Sequence, residues 1–177
     1  FFLITGLLFL LFSCFEVLKN PNLKDKFVCV WSEIVIACTY NCKKLWVKCG
    51  TPVWEAKKIL KNKWVFLPCN HSYYEMISDR VFEFIKSKTW PLEMFSIDEA
   101  FCDISWICEY YNISLNDFLY NLQQDILKYT WIPVSIWCGE TKIKAKIYSK
   151  LNKPFWIFIW FDLEKEIELF KKLWVSQ

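Results

Sequence analysis

Two adjacent carboxylic acids, Asp98 and Glu99, interrupt the apolar run MFSIDEAFCDIS at 94–105. The segment 92–105 alternates and predicts a single β-strand, whose successive side chains point to opposite faces. Met94, Ser96, Asp98, Ala100 and Cys102 would share one face, and Phe95, Ile97, Glu99, Phe101 and Asp103 the other. Carboxylates in the middle of an apolar strand are costly to bury unpaired. A divalent cation relieves that cost, and Mg2+ is typically held by one or two carboxylates together with substrate phosphates. The alternative is a strand end at which both acids reach water.

A second group is ETKIKAKIYSK at 140–150. On a helix Lys142, Lys146 and Lys150 recur at i, i+4 and i+8, with Ile143, Ile147 and Leu151 as the apolar side. Lysine in a first turn, beside the positive end of the helix dipole, suits a phosphate. The plainer reading is a solvated lysine face. A third group is CTYNCKK at 38–44, where Thr39, Tyr40 and Lys43 follow an apolar run and offer a hydroxyl, a phenol and an amine to a phosphate chain.

The elements that would position these groups can be read from periodicity. Strands are predicted at 27–31, 33–40, 65–68, 92–105, 132–137 and 155–161, and a short helix end and turn at 41–52. Helices are predicted at 53–63, 73–87, 114–130, 140–151 and 163–173. The 73–87 helix would bury Met76, Ile77, Val81, Phe84 and Ile85, and Ser114 would cap the next helix, with Asp117 three residues on. Strands and helices mix without strict βαβ alternation, which predicts an α+β fold, a mixed sheet with helices packed on it.

Composition excludes little but contains two anomalies. At 177 residues and a formal charge of +3, the chain can bury a core, and so small a basic excess does not define a nucleic-acid partner. Nine cysteines without a C-x-x-C pair, and one histidine, His71, predict reduced, mostly buried thiols rather than a zinc site or a disulfide framework. The first fifteen residues carry no charge and lack the basic region of a signal peptide. They predict a buried strand leading into a buried helix, with a membrane anchor over 1–18 and a displaced start as alternatives. The anomalies are three glycines against eleven tryptophans, and a single arginine, Arg80, among 22 basic residues.

The block SIDEAFCDIS resembles the palm signature of the Y-family, or translesion, DNA polymerases. ACTYNCKKLWVKCGTPVWEAKKI is similar to the family's fingers segment, and IPVSIWCGETKIKAKIYSKLNKPFWI to its I-P-V-S-x-G-I-G-x-T-K-x-x-A-K stretch. The likeness runs from about 13 to 177 in the family's order. It implies a mixed-sheet palm with packed helices and a small fingers subdomain: 1–26 a first palm strand and helix, 27–70 fingers-like, 71–177 palm. It implies template-directed nucleotidyl transfer past damaged bases in DNA repair and the SOS response. It further implies a two-metal Mg2+ site, primer–template DNA and deoxynucleoside triphosphates as partners, contact with a sliding clamp or recombinase filament, and a cytoplasmic, nucleoid-associated protein without stable membrane association.

By the same resemblance, Asp98 and Glu99 are the catalytic, metal-binding carboxylates. Tyr40 and Lys43 contact the incoming triphosphate from the fingers, with Thr39 adding a hydroxyl, and Lys142 reaches it from the palm. Lysine at 43, where the family has arginine, keeps the charge without the bidentate fork. The family's first strand carries another metal-binding Asp; here no acid precedes Glu16, and Thr5 stands about where that Asp is expected. Phe12 is the nearest candidate for the aromatic that excludes ribonucleotides. A thumb and little finger would follow the last residues, so this piece alone is expected to hold DNA weakly. An inactive relative that keeps the fold as a binding module is the competing expectation.

Trp31, Trp46, Trp64, Trp106, Trp131, Trp137, Trp156 and Trp160 fall where the family has or tolerates glycine. The implied expectation is that UGA codons are read as glycine in the source. If ten of the eleven tryptophans were glycine, glycine would rise from three residues to about 7%, the ordinary share. The alternative is genuine tryptophan in an aromatic core.

Overall fold

The computed structural model describes residues 2–6, 10–61, 64–149 and 155–159, together with 167 and 171. Two sheets form. The larger has five strands in the order β5-β6-β1-β7-β8, with β1 (Phe2–Gly6) central between β6 (Glu99–Asp103) and β7 (Ser135–Gly139). Its edges are β5 (Leu92–Ser96) and β8 (Ile157–Ile159). All its pairings are antiparallel except β7 with β8. The smaller sheet, β3-β2-β4, uses β2 (Phe27–Trp31), β3 (Val35–Cys38) and β4 (Trp64–Pro68), with β2 and β4 parallel. The mixed pairings and the helices packed on them make an α+β fold.

One face of the large sheet meets two long helices, α4 (His71–Lys88) and α6 (Leu115–Thr130). Ala100, Cys102, Ile136 and Cys138 from the strands pack there with Val81, Phe82 and Ile85 of α4 and Leu119, Leu122 and Ile126 of α6. Each fully buried aliphatic side chain in this layer contributes about 1.5–3 kcal/mol. The opposite face is covered by α7 (Lys142–Tyr148), with Ala145 against Phe101. Phe101 and Trp137 both stand opposite Ile4 in the register, on that same face. The helix starts are capped by short polar side chains: Asn70 accepts from Tyr73 N, Ser114 from Asp117 N and Thr141 from Lys144 N, at 3.1 to 3.2 Å. Other α-helices among the described residues are α1 (Leu10–Lys19), α2 (Tyr40–Lys44), α3 (Val53–Leu60) and α5 (Ile107–Tyr111).

The structure corrects the sequence reading at several places. The single strand expected over 92–105 is a hairpin, β5 and β6, folded at Ile97–Asp98. A turn lets the acids escape the middle of an apolar strand, and the alternation predicted for Glu99 to Asp103 survives in β6. The buried stripe of α4 is Tyr74, Ser78, Val81, Phe82 and Ile85, while Met76 lies out in solvent. In α7 the buried residues are Ala145 and Tyr148; Ile143, expected on the apolar side, is 74% exposed. Helix α5 forms where no element was expected. Trp137, the last residue of the predicted 132–137 strand, is fully buried within β7, which runs on to Gly139. No described helix is long and apolar enough to cross a membrane, and α1 has only ten residues. The expected final helix at 163–173, Lys150, Leu151 and Trp160 lie outside the described residues, apart from the helical positions 167 and 171.

Candidate active site

The acids sit at the tip of the β5–β6 hairpin. Ser96 pairs with Glu99 across the turn, and Ile97 and Asp98 form it. Both residues are nearly out of solvent, at 8% exposure each. Ser96 Oγ donates to Asp98 Oδ1 at 2.6 Å. Burial pushes the Asp98 carboxyl above its ordinary range, and the neighbouring Glu99 charge pushes the same way, against the Ser96 hydrogen bond and the Lys146 charge.

Helix α7 brings its lysines onto this hairpin. Lys146 forms an ion pair with Glu99, and Lys142 forms one with Glu93 of β5. Lys146 Nζ also lies 5.0 Å from the Phe95 ring centre, and Lys142 Nζ 5.7 Å from that of Phe101. Glu93, Phe95, Phe101, Lys142, Ile143 and Lys146 line one open cleft. The ammonium against the acid pair is therefore Lys146, one turn beyond the Lys142 singled out from the sequence. The i, i+4 spacing held that signal, but periodicity cannot say which of two lysines on one face meets the acid.

The register also corrects the first strand. Thr5 pairs with Ala100, whereas Gly6 pairs with Glu99 on one side and Ser135 on the other. The β1 position beside the acids is Gly6, not Thr5. The described residues contain no group of three or more metal-ligating side chains that could hold an ion. Two adjacent hard carboxylates fit one divalent cation completed by phosphate oxygens. The donor set for a second cation lacks the acid that Gly6 would have to supply.

The fingers-like groups lie elsewhere. Thr39 precedes α2; its Oγ1 donates to Lys26 O at 3.1 Å and accepts from Val28 N at 3.2 Å, so its proton is committed locally. Lys43 Nζ lies 4.9 Å from the ring centre of Tyr40. Burial pushes the Tyr40 phenol up to about 12, with Cys14 of α1 adding to the shift, and Lys43 opposes the upward shift of Cys14. Tyr40 and Lys43 are thus joined to each other and to α1, and among the described residues no hydrogen bond or ion pair joins them to the acid pair.

Because burial disfavours the charged form of Asp98, Asp98→Asn is expected to stabilise the ligand-free chain at pH 7, by roughly 0.5–2 kcal/mol, as relieving a functional site usually does. The amide oxygen can still accept from Ser96. A carboxylate whose folded pKa is raised contributes stability below its unfolded pKa and loses it as pH rises through the folded pKa. The advantage of the variant should therefore shrink as pH falls through the raised Asp98 pKa. Urea unfolding at several pH values measures it.

The profile of the impB/mucB/samB family matches residues 11–150. The chain is 35% identical over 147 residues to a DNA polymerase IV of Saccharolobus solfataricus, covering 78% of this chain and 41% of that protein. It is 31% identical over 155 residues to a DNA polymerase IV of Fusobacterium nucleatum, covering 88% of this chain and 43% of that protein. Among solved structures it is similar to a ternary complex of the Dbh polymerase, with a TM-score of 0.81 and 25% identity over 90% of this chain and 47% of that one. It is also similar to the DinB crystal structure from Sulfolobus solfataricus, with a TM-score of 0.76 and 26% identity over 90% of this chain and 48% of that one. The chain spans about two fifths of the length of the curated relatives it matches.

Proposed function

We propose a function from one premise: the chain belongs to the impB/mucB/samB family, that of the Y-family DNA polymerases. On that premise it is the palm-and-fingers portion of a translesion DNA polymerase, a nucleotidyltransferase that extends a primer along template DNA past damaged bases. The observation that carries the reading is the SIDEAF hairpin, with Asp98 and Glu99 at its tip and an α7 lysine against Glu99. The subdomain division 1–26, 27–70 and 71–177 belongs to the same proposal, as do the cytoplasmic, nucleoid-associated location and a clamp or recombinase partner.

In this reading Asp98 and Glu99 would hold Mg2+, which would supply charge stabilisation to the phosphoryl group being transferred. The chain's own side chains do the rest. Lys146 neutralises Glu99 before substrate arrives and lies within the cleft that would receive a triphosphate. Lys142, tied to Glu93 on the same cleft wall, adds a second positive charge there. Tyr40 and Lys43 orient the phosphates from the fingers side, as preorganised donors and charges do where negative charge develops. Thr39 precedes α2, and its hydroxyl ties the start of that helix to Lys26 O.

A single-nucleotide incorporation assay with primer–template DNA, deoxynucleoside triphosphates and Mg2+ tests this. Asp98→Asn should lower the rate about 100-fold or more, the scale on which losing a charge-stabilising group acts. Equal rates in the variant and the parent chain would sink the assignment. A second reading, an inactive binding module of the same fold, is favoured by Gly6 opposite Glu99 where an acid would complete the donor set. Nucleotide binding without any incorporation by the parent chain would select it.

A further inference from the structure

We propose that Ser78, in the interior of α4, is a positioning residue for Asp98: its hydroxyl fixes the hairpin tip by holding the carbonyl of Ile97. The inference rests on the reading of Asp98 as a ligand of a divalent cation. Serine is a poor choice for a buried helix interior, where it loses to residues that fill space and where its hydroxyl normally turns back onto its own helix. Ser78 is only 2% exposed and stands among Tyr74, Val81, Phe82 and Ile85 on the packed face of α4. Its Oγ does not turn back. It crosses to the large sheet and donates to Ile97 O, nineteen positions along the chain.

That carbonyl belongs to the peptide plane joining Ile97 to Asp98. Because the peptide unit is planar, fixing the direction of its C=O fixes the orientation at which the Asp98 Cα leaves it. The strands do not supply this constraint by themselves. The β5–β6 ladder shifts register between Met94 and Ser96, on the strand entering the turn, and β5 is an edge strand with no neighbour on its outer side among the described residues. Nor is Ile97–Asp98 one of the glycine- or asparagine-based pairs that set a two-residue turn from within. A metal-binding carboxylate must be held within about 0.5 Å of its working position by residues that are themselves locked. Ser78 is locked by α4, and Ser96 then aligns Asp98 Oδ1 from inside the turn.

A control lies one helical turn away. Tyr74, also fully buried on α4, donates from its hydroxyl to Glu16 Oε1 at 2.7 Å. That bond ties α4 to α1 and does not touch the hairpin tip. Tyr74→Phe should weaken the fold in the same manner as Ser78→Ala, while leaving Asp98 where it is.

The test is a Mn2+ titration of the purified 177-residue chain, followed by electron paramagnetic resonance, with the thermal midpoint of each variant measured alongside. Ser78→Ala should weaken Mn2+ binding about tenfold, the lower end of what loss of an outer-sphere support costs a metal site. Ser78→Thr, which keeps the hydroxyl, should bring the affinity back to near the parent value. Tyr74→Phe should lower the midpoint with the affinity unmoved, and Asp98→Asn should remove binding. Parent-like affinity in Ser78→Ala, with Asp98→Asn still deficient, overturns the positioning role alone. Absence of Mn2+ binding by the parent chain, or parent-like binding by Asp98→Asn, overturns the metal reading and this inference with it.

Discussion

Gly6→Asp should raise the Mn2+ affinity of the chain about tenfold or more, because cation sites of this kind gain affinity with ligand charge count. Gly6 ends β1 directly opposite Glu99, so an acid there joins Asp98 and Glu99 at the head of the central strands. The same substitution carries a cost without a cation. Three carboxylates in a partly desolvated site repel one another, and the Asp98 carboxyl is already pushed up by burial and by Glu99. The variant should therefore unfold at lower urea concentration than the parent in chelator and regain the difference in Mn2+. Thr5→Asp is the control. Thr5 pairs with Ala100, so its position faces the side of the sheet that packs on α4 and α6. An acid there should gain no cation affinity and should lose stability in either buffer. Equal affinity in Gly6→Asp and the parent would remove the structural reason for a third ligand at this position.

The contrast between Thr5 and Gly6 also shows where sequence reading stops. A shift of one residue moves a strand position to the other face of the sheet, and an apolar first strand contains nothing that marks the register. Only pairing with β6 decides it. The acids themselves were legible, because two carboxylates in an apolar run demand an explanation. Their place in a turn was not: Ile97–Asp98 has no glycine or asparagine to announce a hairpin, and an alternating run looks the same whether it continues or folds back. In α4 the apolar residues pointed to a stripe through Met76. The structure buries Ser78 instead, and a buried serine is invisible to a hydrophobic pattern. The caps at Ser114 and Thr141 lie on the helix starts because short polar side chains satisfy the first-turn N–H groups locally. Local chemistry was readable, whereas contacts made between distant segments, such as Lys146 with Glu99, were not.

The tryptophans divide into two physical classes, and opposite mutational effects should follow. Trp46 and Trp131 adopt positive φ, 67° and 61°, just after α2 and at the end of α6. They are 87% and 74% exposed, so their rings bury little. Helices commonly end on such a left-handed residue, and glycine takes it without the steric penalty of a Cβ. Trp46→Gly and Trp131→Gly should each stabilise the chain by about 1 kcal/mol, the scale of the left-handed penalty for an L-residue. Trp137 is the reverse case. It is fully buried in β7, opposite Ile4 and Phe158, on the face covered by α7. Its removal to alanine-size or smaller should cost about 3–5 kcal/mol, a large part of the roughly 5–15 kcal/mol that holds a domain together. Urea unfolding of the three variants measures these differences, and equal signs at 131 and 137 would refute the division. Backbone conformation thus favours glycine at 46 and 131, as the expectation of UGA read as glycine requires, while packing favours tryptophan at 137. A peptide mass spectrum of the natural protein across 129–144 reads both kinds of position at once: tryptophan at 137 ends the recoding expectation, and glycine at 131 and 137 establishes it.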